Sequence, residues 1–184
     1  MSDEYAVELS RSLLKELFPE VDLVDTPRRF VKMFRELSTP EDFEFTVFDN
    51  KAKVDETSEL ITIKDIAFTA LCSHHIVPFI GNCHVGYIPD KKVAGLSKFP
   101  RAVRWWAAGL WTQEELTHAI ASYLYDELEP SGLMVMMEAE HMCMSLRGVQ
   151  APGTKTVTTQ LRGLFLDPPQ GRDPKGEFLE YIKR

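Results

Sequence analysis

The sequence predicts an α+β fold in which an antiparallel four-stranded sheet carries two helices on one face. Three observations lead there. Hydrophobic spacing is helical near the N-terminus and turns to strand periodicity at about residue 60. From that point the elements run strand, strand, helix, helix, strand, strand, and packing the helices on one face of the paired strands buries both apolar sets. No repeat, low-complexity block or Gly/Ser/Pro linker interrupts the 184 residues. One domain over 1–184 is therefore expected, with N-terminal helices at 1–40, the core at 60–167 and a tail at 168–184.

The first helix is predicted over 3–17, where Leu9, Leu13, Leu14 and Leu17 fall at helical spacing. The second has Thr26 as N-cap and Pro27 at the first helical position, where a missing N–H costs nothing, and Pro40 stops it. Residues 60–69 read as a strand and 80–88 as its antiparallel return. A helix opens near Ser97. Another opens at Thr112, which forms a capping box with Glu115, and it runs to Leu128. Strands at 133–147 and 154–165 follow, joined by a turn at Pro152 and Gly153. After Pro168 and Pro169 the tail is expected to end in a short helix.

Composition narrows the function. With 21 basic and 28 acidic side chains the net charge is −7, which argues against a general nucleic-acid binder. Hydrophobic residues make up 44% and charged residues 27%, enough to bury a core. No apolar run approaches the roughly 18–20 residues of a membrane span, and Met1-Ser2-Asp3-Glu4 does not resemble a secretory signal. Three cysteines, Cys72, Cys83 and Cys143, are too few and too odd in number for a disulfide framework. Reduced thiols in the cytoplasm, with metal binding open to them, are the expectation.

Chemistry concentrates in two places. Cys72-Ser73-His74-His75 packs four polar residues where a strand ends before Pro78, and a turn there would bring Cys72 and His75 onto one ion. Alone, such a pair is more often a buried thiol beside a solvated imidazole. In the strand at 133–147, His141, Cys143, Ser145 and Arg147 share one parity, while Met134, Met136, Met142, Met144 and Leu146 offer a core face on the other. Cys143 added to Cys72 and His75 makes two thiolates and one imidazole, a set that leaves zinc an open position for water or substrate. A closed structural site that also uses His74 or His141 is the alternative. Otherwise His74 and His141 stand beside the metal as candidate proton shuttles, or as hydrogen-bond partners that orient the ligands. His84 and His118 have no such context and read as structural or solvated.

The second place is Gly95-Leu96-Ser97-Lys98-Phe99-Pro100-Arg101. Here a helix start carries Lys98 and Arg101 one turn apart, a combination suited to phosphates but also ordinary on a solvated face. Arg147 could add a third cation. Gln113 and Glu114 open the next helix, where an acidic residue is usually only a favourable charge at the dipole's positive end.

Several of these motifs, in one order, resemble GTP cyclohydrolase I. They are Cys-Ser-His-His at 72–75, Gly-Leu-Ser-Lys-x-x-Arg at 95–101, Gln-Glu at 113–114, and His-Met-Cys-Met-x-x-Arg-Gly-Val-Gln at 141–150. Thr-Pro-Arg-Arg at 26–29 also matches that family's second helix. The resemblance implies a tunnelling fold assembled as a homodecamer, with active sites between subunits. It implies zinc on Cys72, His75 and Cys143, catalytic roles for His74 and His141, and Ser97 near the substrate. Triphosphate contacts would come from Lys98, Arg101, Arg147 and Arg29, and guanine contacts from Gln113 and Glu114. A carboxylate that accepts two guanine N–H groups is worth about 1–3 kcal/mol of base discrimination. The implied reaction opens the imidazole ring of GTP with zinc-activated water, releases carbon 8 as formate, and ends at 7,8-dihydroneopterin triphosphate, on a folate, pterin or deazapurine route.

The chain departs from the family pattern at Ser73, which replaces a glutamate, and in the segment before and into the guanine helix, where Gly109 and Glu115 replace basic residues and Trp111 a glutamine. Rival readings are a non-catalytic or altered-specificity zinc module that binds purine nucleotides, and an enzyme of the same fold acting on a related purine or pterin. The charge of −7 disfavours broad polyanion binding, but a compact anion such as GTP needs only the local cluster of Arg29, Lys98, Arg101 and Arg147.

Overall fold

A computed structural model describes residues 3–51 and 59–183; Met1, Ser2 and Arg184, included in the predicted terminal segments, lie outside them. Helix α1 (Asp3–Leu17) packs on α2 (Thr26–Ser38), and the Ser10 hydroxyl donates to the Pro27 carbonyl at 3.2 Å. The N-cap of α2 is Asp25, one residue earlier than predicted, so Pro27 sits within the first turn, where its missing N–H is still free of cost. Of the predicted apolar stripe on α1 only Leu14 is buried, while Leu9, Leu13 and Leu17 are each more than half exposed.

Next come β1 (Val47–Asp49), β2 (Ile61–Cys72), β3 (Pro78–Ile88), β4 (Lys92–Ala94), α3 (Lys98–Ala107), β5 (Leu110–Trp111) and α4 (Gln113–Leu128). The chain closes with β6 (Gly132–His141), the single turn α5 (Met142–Ser145), β7 (Lys155–Gly163) and α6 (Pro174–Lys183). The main sheet has five strands in the order β5-β2-β3-β6-β7, one more than predicted. All neighbours are antiparallel except β5, which runs parallel to the end of β2. Two residues are too few for alternation to show, so β5 has no signature in the sequence. The same holds for β1 and β4, which pair as a separate ribbon of three residues each. The capping box at Thr112 and Glu115 forms as predicted.

The helices α3 and α4 cover one face of the sheet. Beneath them lie Phe68, Ala70 and Cys72 of β2, Phe79, Cys83 and Val85 of β3, and Leu133, Val135, Met137 and Ala139 of β6. This corrects the parity reading of the strand at 133–147. The helix-covered face is the one that leads to His141, and Met134 with Met136 packs instead on the far side, against Phe178 of α6. A Cβ at Gly86 would lie 2.5 Å from the Phe178 ring, so only glycine lets α6 seat there.

Candidate metal centre and active site

The hairpin between β2 and β3 explains how Cys72 and His75 meet. Leu71 pairs with Pro78, the Cys72 N–H donates to the Val77 carbonyl at 2.9 Å, and the Ile76 N–H returns to the Cys72 carbonyl at 2.8 Å. Ile76 takes a left-handed φ of 56°, which folds residues 73–76 back over the strand end. One strand away, β6 stops at His141, whose pairing partner is Phe79. The strand expected over 133–147 ends six residues early. Residues beyond His141 leave the sheet in a helical turn, with the Leu146 N–H on the Met142 carbonyl at 3.0 Å, so Cys143, Ser145 and Arg147 share no strand face. Glu140 fastens that turn, accepting from the Ser145 hydroxyl at 2.6 Å and the Gly153 N–H at 2.9 Å.

The ligand atoms of Cys72, His75 and Cys143 converge within 4.8 Å of one another, and His74 and His141 stay outside the group. Two thiol sulfurs and an imidazole are a soft donor set, and three protein ligands suit a catalytic zinc with an open position rather than a closed structural one. Without a metal the Cys143 thiol is held above the usual range, first by burial and then by the neighbouring Cys72, with Arg147 pulling it down. A cation between the sulfurs relieves that repulsion, so the residues present fit a metal ion.

The flanking groups come from β6 and α4. Cys72 pairs with Trp111, and the Ser73 N–H donates to the Trp111 carbonyl at 3.0 Å, which sets the start of α4 beside the hairpin. His74 Nδ1 lies 3.7 Å from Cys72 Sγ, within reach of a sulfur hydrogen bond. The His141 ring stacks on Phe79, and its Nε2 is 2.8 Å from Gln113 Oε1. Burial lowers the pKa of His141, and the Glu114 carboxylate partly restores it. Gln113 is almost fully buried, its amide turned onto β6 and β7, whereas Glu114 is exposed.

The predicted anion contacts do not all gather here within one chain. Arg147 acts on Cys143 at the metal end. Helix α3 is about 15 Å long, and it is its C-terminal end that leads through Gly109 into β5 beside Leu71 and Cys72. Ser97 and Lys98 therefore lie at its far end, where Lys98 Nζ donates to the Glu44 carbonyl at 2.8 Å. Arg101 borders a cavity of about 540 Å³ between α2 and α3, and Arg29 pairs with Asp25 at 3.8 Å on the first turn of α2. Two of the departures acquire physical reasons. Glu115 accepts from the Thr112 N–H at 3.2 Å and caps α4, and a Cβ at Gly109 would press on Trp111 Nε1 at 3.0 Å. Nothing in the structure explains Ser73.

Sequence reasoning missed Phe79, Thr117 and Thr158. Phe79 shares its face with Cys72 through the hairpin register, a signal available once residues 71 and 78 are paired. The two threonines have no local signal, because they meet only across α4 and β7.

Soft donors at the end of a helix-covered antiparallel sheet, flanked by two further imidazoles, form a group that could hold a metal ion, in a fold shared with a class of hydrolases. The model of the family GTP cyclohydrolase I matches residues 8–183. The chain is 45% identical over 161 residues to GTP cyclohydrolase 1 of Aquifex aeolicus, covering 88% of this chain and 84% of that protein. It is 45% identical over 186 residues to the Geobacillus kaustophilus protein of that name, covering 98% and 95%, and 46% identical over 168 residues to that of Bacillus subtilis, covering 88% and 84%. The chain belongs to the GTP cyclohydrolase I family, and its sheet and helices are the family's tunnelling fold. Among the described residues no helix is long and apolar enough to cross a membrane.

Proposed function

We propose that the chain hydrolyses GTP, consuming one water, releasing carbon 8 as formate and leaving 7,8-dihydroneopterin triphosphate. The observation that carries this reading is the convergence of Cys72, His75 and Cys143, with His74, His141 and Glu114 around them. Zinc held by those three ligands supplies Lewis-acid chemistry that readies water for attack near neutral pH. His74 and His141 pass protons to and from the purine ring nitrogens as the ring opens, Glu114 accepts the guanine N–H groups, and Gln113 holds its place beside them. Ser97, Lys98, Arg101, Arg147 and Arg29 take the substrate's sugar and triphosphate end.

Because Lys98 sits at the far end of α3 from the metal donors of its own chain, the triphosphate is held in part by Lys98 of a second copy. A homodecamer with sites between subunits satisfies this. Support for association comes from the exposed leucines of α1 and from β7, an edge strand of the sheet. We place the enzyme, a single domain, in the cytoplasm, where the thiols of Cys72 and Cys143 stay reduced.

The test is incubation with GTP, with and without a chelator, while following formate and the pterin that fluoresces after oxidation. Formate that disappears with the metal is expected. Tight GTP binding without formate would replace the enzyme by a nucleotide-binding module, and formate from another purine would reassign the substrate.

A further inference from the structure

Gln113 sits in a closed hydrogen-bond network that no ligand role requires. Its amide nitrogen lies 3.1 Å from the Met137 carbonyl, 3.0 Å from the Thr156 carbonyl and 3.1 Å from Thr158 Oγ1. Thr117 Oγ1 donates to the Gln113 backbone carbonyl at 2.6 Å and is 2.6 Å from Thr158 Oγ1. Thr117 gives its hydroxyl proton to the Gln113 carbonyl, so Thr158 donates to Thr117, and the two amide hydrogens of Gln113 are shared among the Met137 and Thr156 carbonyls and Thr158 Oγ1.

The orientation of the Gln113 side chain follows by the same logic. Backbone carbonyls only accept, so the amide nitrogen must face Met137 and Thr156, and Oε1 must face His141. Oε1 cannot donate. The 2.8 Å contact with His141 Nε2 therefore needs a proton on Nε2, and in the neutral ring Nδ1 is the nitrogen that carries the lone pair. The stack on Phe79, at 4.8 Å and 3° from parallel, holds the plane of the ring, and turning the ring over within that plane would put a carbon where Nε2 meets Oε1.

We propose that Gln113, locked by Thr158, Thr117 and two strand carbonyls, is a positioning residue that fixes His141 as the Nε2–H tautomer and so makes Nδ1 the atom through which it exchanges protons with substrate. This deepens the proposed function and rests on His141 being a proton carrier there. It also moves Gln113 from holding guanine to aiming an imidazole, and it ties the edge strand β7 to the site through Thr158.

The zinc-loaded protein, labelled with ¹⁵N-histidine, is studied by solid-state NMR, with the His141 signals assigned by difference from His141→Asn. The wild type is expected to show a protonated Nε2 and an unprotonated Nδ1 at His141. Gln113→Leu should mix the tautomers and lower kcat about 10- to 100-fold, less than the roughly 10²–10⁴-fold that general acid–base catalysis supplies because the imidazole is misdirected and not removed, while KM for GTP moves less than about twofold. Thr158→Val, nearly isosteric, should show the same direction more weakly, and Thr158→Ser should restore the wild-type spectrum and rate. Thr158→Val stands in for Gln113→Leu if that variant does not fold. A protonated Nδ1 in the wild type, or a Gln113→Leu or Thr158→Val spectrum identical to it, overturns the proposal. So does a rise in KM with kcat unchanged, the mark of a guanine contact. Absence of formate from the wild type would overturn the proposed function instead, and the NMR readout would still decide the tautomer.

Discussion

Phe79 and His141 face each other across β3 and β6 as a register pair, their rings 4.8 Å apart and 3° from parallel. Phe79 has no exposed surface, so the core itself serves as the floor on which the imidazole lies. Phe79→Leu keeps an apolar residue but removes the flat surface. It should retain metal and fold and still lose turnover several-fold, because a loosely held proton carrier spends less time aimed at its substrate. Phe79→Ala should in addition cost about 3–5 kcal/mol of stability. Thermal melts and turnover of the two variants check this, and a leucine variant with wild-type kcat would remove Phe79 from the site.

The three donors that could hold a metal ion are distinct from their histidine neighbours His74 and His141. Cys143→Ser and His75→Asn each take one donor from a set of three and should lose bound zinc and turnover together. His74→Ala leaves all three donors in place, so zinc should remain near one per chain while turnover drops on the order of 10²–10⁴-fold. Metal analysis of the purified proteins decides. Full zinc in Cys143→Ser would break the ligand assignment, and loss of zinc in His74→Ala would put His74 among the ligands.

Lys98 opens α3, whereas the other end of that helix leads to β5 beside Cys72, and this separation makes a mixing experiment informative about the proposed triphosphate contact. Lys98→Ala damages the end of α3 that serves one site, and Cys143→Ser damages the metal end of another. Each variant alone should be nearly inactive. After the two are unfolded together and refolded with zinc, some interfaces pair an intact metal end with an intact Lys98, and up to about one quarter of wild-type turnover should return. No recovery from well-folded mixed oligomers would place both groups in one chain's site.

Much of this site was legible from residue types and spacing, and what was not has a physical cause. Cys72, His75 and Cys143 stood out because thiols and imidazoles are poor core filling, and the Thr112–Glu115 box marked the start of α4 because capping is local chemistry. Parity failed beyond His141, since alternation cannot announce where a strand gives way to a helical turn. It also misjudged which face of β6 meets the helices, because α6 gives the methionine face a partner of its own. The Gln113 network was invisible for a stronger reason. Its members are up to 45 residues apart, and only the fold sets Thr158 over Gln113.

A separate pH dependence belongs to His84, far along β3 from the metal ligands. Its Nδ1 accepts the N–H of Asp65 at 3.2 Å, and Asp65 holds a left-handed φ of 59° where β2 slips register between Ile63 and Ile66. Only a neutral ring with a bare Nδ1 can accept that bond. Burial lowers the His84 pKa, Lys64 adds to this, and the Asp65 and Glu138 carboxylates oppose it. The unfolded chain, with an ordinary pKa near 6.5, therefore binds a proton before the folded one does. The stability that His84 contributes is complete above about pH 6.5 and is lost as pH falls from there through the folded pKa. His84→Gln keeps an acceptor for the Asp65 N–H but does not titrate, so its melting temperature should fall less than that of the wild type between about pH 7.5 and pH 5. Parallel losses in the two proteins would mean that the bulge is held by something other than the neutral imidazole.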